Sequence, residues 1–134
     1  MNNKKIIIGT AQFGMNYGVS NISGKTNKQE VKKILQYGKK NDLNYLDTSS
    51  HYGGAETLLG KLNIANWKVT TKYKTEEILV EKEKILKNLI KLIEISKKKL
   101  RIKKIYCILL HNPELILTRY GNELYRSLQK AKSL

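Results

Sequence analysis

A chain of 134 residues, 40% of them hydrophobic, can bury one core of domain size, and that composition excludes a disordered or fibrous polymer. Its 26 lysines and arginines against 11 acidic residues leave a formal charge of +15, which raises nucleic acid or an anionic surface as a partner. That class is weighed against, because the lysines spread over Lys32, Lys33, Lys39, Lys40, Lys84, Lys87, Lys91 and Lys97 to Lys99, on the expected outer faces of helices and without the interleaved aromatics of a base-stacking platform.

The start, Met1 to Gly9, has two lysines before Ile6-Ile7-Ile8, too short an apolar run for a signal peptide, and no later run is long enough for a membrane. The cytoplasm is the expected compartment. The three isoleucines, apolar without alternation, read as a fully buried strand of a parallel sheet. Ala11 to Lys25 follows as a long loop with Gly14, Gly18 and Gly24, a candidate functional loop at the end of that strand. Thr26-Asn27-Lys28-Gln29 has the form of a capping box with Thr26 as the cap, and Val31, Ile34, Leu35 and Gly38 follow at helical spacing to about Asn41.

Leu43 to Leu46 is the second strand and delivers Asp47; a short helix over Glu56 to Leu62 and a turn at Asn63 to Asn66 lead to the third, Trp67 to Lys72. Glu76 to Lys99 reads as one long helix. Ile78, Ile85, Leu89 and Leu92 form one row, and Leu79, Leu86, Ile90 and Ile93 the row beside it. The fourth strand, Ile105 to Leu110, ends on His111; Asn112-Pro113-Glu114 breaks the pattern, and a last helix opens at Asn122 with Leu124, Leu128 and Ala131 inward. Cys107, the only cysteine, lies in that fourth strand, which excludes disulfides and thiolate metal sites and reads as a small buried hydrophobe. Strand and helix alternate four times, so the strands are parallel, with right-handed crossovers.

Three successive strands therefore finish on ionisable residues, Asp47, Lys72 and His111, and Tyr52 stands five residues after Asp47. A phenol protonates a carbonyl oxygen efficiently only beside a positioned ammonium, and Lys72 is the candidate. Taken singly each residue has a plainer use: Asp47 and Lys72 as an ion pair in a barrel core, His111 as a satisfied core histidine, Tyr52 as an ordinary loop aromatic. His51 has no cluster of ligands around it, so it reads as loop surface and no metal site is expected.

Together the segments resemble the aldo-keto reductase family. Asp47-Thr48-Ser49-Ser50-His51-Tyr52-Gly53 resembles its Asp-Thr-Ala segment with a tyrosine five residues on, Thr70-Thr71-Lys72 its lysine strand, and Leu109-Leu110-His111 its histidine strand. Gly9 to Gly14 resembles the loop after its first strand, and Ser96 to Leu100 its Ser-Leu-x-x-Leu. The resemblance spans nearly the whole chain. It implies an α/β fold of the (β/α)8 TIM-barrel type and an NAD(P)H-dependent oxidoreductase that reduces the carbonyl of an aldehyde, ketone or sugar. It also implies Asp47, Tyr52, Lys72 and His111 as the catalytic tetrad, Gly9, Thr10 and Asp47 at the nicotinamide end of NADP(H) or NAD(H), and a small carbonyl compound as partner.

The short gap from Tyr52 to Lys72 fits a bacterial-type branch with trimmed loops. The family barrel needs eight strands and about 250 residues, whereas residues 1–134 supply only about the first four βα units, as one domain. In relatives the second half carries the serine and asparagine after strand five, the glutamine near strand six and the basic loop that grips the adenosine phosphate. The expectation is a half barrel, truncated and inactive alone, with open edges that favour self-association. The competing classes are an inactive reductase remnant and a basic nucleic-acid-binding module.

Overall fold

The computed structural model describes residues 6–79 and 84–132. Strands β1 (Ile8–Gly9), β2 (Tyr45–Asp47), β3 (Lys68–Tyr73) and β4 (Cys107–Leu110) alternate with helices α1 (Ala11–Gly14), α2 (Lys28–Lys40), α3 (Ala55–Lys61), α4 (Thr75–Ile78), α5 (Ile85–Leu100) and α6 (Gly121–Lys132), with a 3-10 segment at Pro113–Leu117. The strands form one parallel sheet in chain order, β1-β2-β3-β4. The registers Gly9↔Asp47↔Thr70↔Cys107 bring four strands into step, and the alternation is that of a half barrel.

Alternation along β3 sorts the two faces. Val69, Thr71 and Tyr73 are buried while Lys68, Thr70 and Lys72 are not, as the two-residue period of a strand requires. Val69 joins Leu46, Phe13, Val31, Leu35, Leu59, Ile64 and Leu100 in one core cluster under β1 to β3. A second cluster, Tyr73, Ile78, Ile85, Leu89 and Leu124, lies under β3 and β4. The helices thus cover one face, and the other carries Tyr45, Asp47, Lys68, Lys72 and Leu109. Lys32, Lys33, Lys39, Lys40, Lys84, Lys87, Lys91, Lys98 and Lys99 are all exposed on the helix backs.

Four expectations are corrected. Ile6 and Ile7 are 53% and 56% exposed, because they precede β1, whose one strand partner among the described residues is β2. The cap of α2 is Asn27, whose Oδ1 accepts from Glu30 N at 2.9 Å, while Thr26 N is engaged by Gln12 O at 2.8 Å; Asn27 and Glu30 make the cap one position on, with Glu30 and Lys39 and Lys40 suited to the helix dipole. The stretch 76–99 is two elements, α4 and α5, with Leu79 in a turn and residues 80–83 outside the described residues. Ile78 and Ile85 still share a cluster, which is why one periodicity ran through both. Cys107 is half-buried on the open face, not in the core.

Candidate active site

The carboxyl ends of the four strands lie side by side, and the residues that follow them make the rim. Asp47 ends β2, and Lys72 stands one residue before the end of β3 on the same face, so its Nζ reaches Asp47 Oδ2 at 2.6 Å and Thr48 O at 3.3 Å. The lysine and aspartate side chains are 18% and 32% exposed, so the pair is set into the rim and still reachable.

Tyr52 is brought to this pair by its loop. Lys72 Nζ lies 5.3 Å from the centre of the Tyr52 ring, within reach of a cation–π contact. The loop is pinned from α1: a Cβ at Gly14 would run into Tyr52 O, and one at Gly53, at φ +53, would press into Gly14 O. Only glycine permits that contact between α1 and the turn after Tyr52. His111 continues β4, its N–H donating to Tyr73 O at 2.9 Å. Its ring sits edge-on to Tyr52, centroids 6.4 Å apart, and is exposed rather than buried in a core. Tyr17 approaches Tyr52 from the other side at 6.3 Å.

Thr10 is buried and gives both its N–H and its hydroxyl to Asp47 O, at 3.0 and 2.9 Å, so it supports Asp47 from behind. A Cβ at Gly9 would meet nothing within 4 Å, which leaves open space beside Asp47. Open space and a carboxylate there suit a flat amide-bearing ring such as nicotinamide. Among the described residues no group of three or more His, Cys, Asp or Glu could hold a metal ion, and no helix is long and apolar enough to cross a membrane. Tyr73, the nearest other phenol along β3, is fully buried on the helix side, where desolvation pushes its hydroxyl well above the ordinary tyrosine value.

Sequence reasoning gave Ser49 and Ser50 no role of their own and read His51 as loop surface. Ser49 and Ser50 both reach Lys72 O, and His51 Nε2 lies 3.5 Å from Glu77 Oε1 of α4. Serines in a turn ordinarily serve local hydrogen bonds, so only the glycines flanking this loop carried a signal of close packing.

The model of the aldo/keto reductase family matches residues 5–134. No curated protein matches the chain closely enough to be counted a relative. Two Pseudomonas aeruginosa structures provisionally classed as aldo-keto reductases superpose with TM-scores of 0.70 and 0.68 at 24% and 22% identity, covering 95% of this chain and 50% and 49% of theirs. A thermostable aldo-keto reductase solved with the inhibitor epalrestat superposes with a TM-score of 0.61 at 20% identity, over 93% of this chain and 45% of its own. The chain spans about half the length of these structures.

Proposed function

Because the chain belongs to the aldo/keto reductase family, we propose that it forms the tetrad-bearing half of an oxidoreductase that reduces a small carbonyl compound to an alcohol. The observation that carries this reading is the Asp47–Lys72 pair at 2.6 Å with the Tyr52 ring 5.3 Å from the same ammonium, all on the strand-end rim. NADP(H) or NAD(H), when bound, supplies the hydride for the carbonyl carbon. Tyr52 gives its phenolic proton to the carbonyl oxygen. Lys72 holds positive charge beside that phenol, Asp47 fixes Lys72, and His111 donates to the carbonyl oxygen and orients it. Gly9, Thr10 and Asp47 border the nicotinamide end. Catalysis is then positioning together with general acid chemistry.

The same reading makes residues 1–134 one part of the barrel domain, with the adenosine grip contributed from outside them. Assayed alone, they neither bind NADPH saturably nor oxidise it with a generic aldehyde. Supplied with a separately expressed second half from a relative, they do both. Turnover by residues 1–134 alone would overturn the division of labour, and no turnover in a mixture shown to associate would overturn the reductive role.

A further inference from the structure

We infer that Ser49 and Ser50 are positioning residues that fix Lys72, a role that rests on the reading of Lys72 as part of a reductive site. Strand β2 ends at Asp47, yet its pairing with β3 goes on: Thr48 N donates to Thr70 O at 2.8 Å and Ser50 N to Lys72 O at 3.2 Å. Two hydroxyls add to the second bond, Ser49 Oγ and Ser50 Oγ each donating to Lys72 O at 3.1 Å. A carbonyl oxygen has two lone pairs, and these donors leave neither unfilled.

His51 extends the network: its backbone N–H donates to Ser49 Oγ at 3.2 Å, its ring Nδ1 lies 3.0 Å from Ser50 Oγ, and its ring Nε2 lies 3.5 Å from Glu77 Oε1.

Lys72 is thus gripped at both ends by one segment. Asp47 and Thr48 O hold its ammonium, while Ser49 and Ser50 hold its carbonyl. Tyr52 lies two residues further along that segment, so the spacing between the ammonium and the phenol is set by the serine pair. Ser49 is 1% exposed, which shields its share of the network from water. Support of this kind holds a reacting group at its working geometry.

The test uses isotope-labelled chain 1–134 and the side-chain nitrogen signal of Lys72, which in the cold at mildly acidic pH reports its hydrogen-bonded ammonium. Ser49→Ala with Ser50→Ala shifts and broadens that signal. Ser50→Ala alone shifts it less, and Ser50→Thr, which keeps the hydroxyl, restores the wild-type signal. An unchanged Lys72 signal in the folded double variant, or a Ser50→Thr signal no nearer wild type than that of Ser50→Ala, would overturn the inference. If the double variant does not fold, the comparison of Ser50→Ala with Ser50→Thr still decides. The signal needs no turnover, so a failure here leaves the reductase reading standing, and a chain without carbonyl reduction leaves the serine network standing.

Discussion

Strand β3 places two lysines on the same open face, Lys68 and Lys72, about 13 Å apart at the strand rise, and each meets a tyrosine. Lys68 Nζ donates to Tyr45 OH at 3.0 Å and lies 4.9 and 5.5 Å from the Tyr45 and Tyr106 ring centres. That hydrogen bond draws the Tyr45 phenol below its ordinary value and raises the Lys68 ammonium above its own. Lys72 instead has a carboxylate at 2.6 Å, a backbone carbonyl at 3.3 Å and a carbonyl of its own held by two serines. A lysine beside a tyrosine is therefore not by itself a site. The rim pair differs because its ammonium is held by a carboxylate and both ends of the lysine are fixed, whereas the pair at the other end of the strand is open to solvent.

The largest expected effect breaks the rim alone. Gly14→Ala places a Cβ against Tyr52 O, where the backbone on both sides must move, at a cost of about 1–3 kcal/mol or more. Thermal unfolding is expected to show the loss, and the Tyr52 loop resonances to shift while those of Tyr45 stay in place.

Next comes Lys72→Met in a barrel completed with a second half. It removes the charge beside Tyr52 and should lower carbonyl reduction on the order of 10²-fold. The substitution also leaves the half-buried Asp47 carboxylate without its partner, so the rates are compared at equal folded fraction, read by circular dichroism. Lys68→Met is the control, with turnover within about twofold of wild type, since Lys68 lies at the opposite end of the strands from the rim. Equal losses from the two substitutions would erase the distinction drawn between the pairs.

The smallest effect belongs to Tyr45. A phenol lowered in the folded state adds stability that is fully present above its ordinary value and is lost as pH falls through the lowered one. At neutral pH it adds nothing, and the gain is confined to the alkaline window. Ultraviolet difference titration should find one phenol ionising before the others, and Lys68→Met should return it to their range.

Much of this was legible in the sequence because apolar runs ending in Asp47, Lys72 and His111 fix strand positions and polarity together. Asp47, Lys72 and His111 stand along one rim of the sheet for that reason. What failed depended on neighbours that a sequence does not name. Ile6 and Ile7 look like core residues until they prove to lie ahead of β1, a strand paired on one side only among the described residues. Thr26 and Asn27 are both good caps, and the choice fell to Asn27 because the Thr26 N–H is taken by Gln12 O. The Ser49 and Ser50 bonds to Lys72 O span 23 and 22 residues, and no local pattern encodes them.

The central claim is that Tyr52 is the proton donor of a rim organised by Asp47 and Lys72, and Tyr52→Phe tests it most directly. The substitution removes one hydroxyl and leaves the ring that Lys72, His111 and Tyr17 surround. In the completed barrel, NADPH oxidation with a generic aldehyde should fall roughly 10²-fold or more while NADPH binding stays at the wild-type level. Carbonyl reduction by Tyr52→Phe at the wild-type rate would contradict the account.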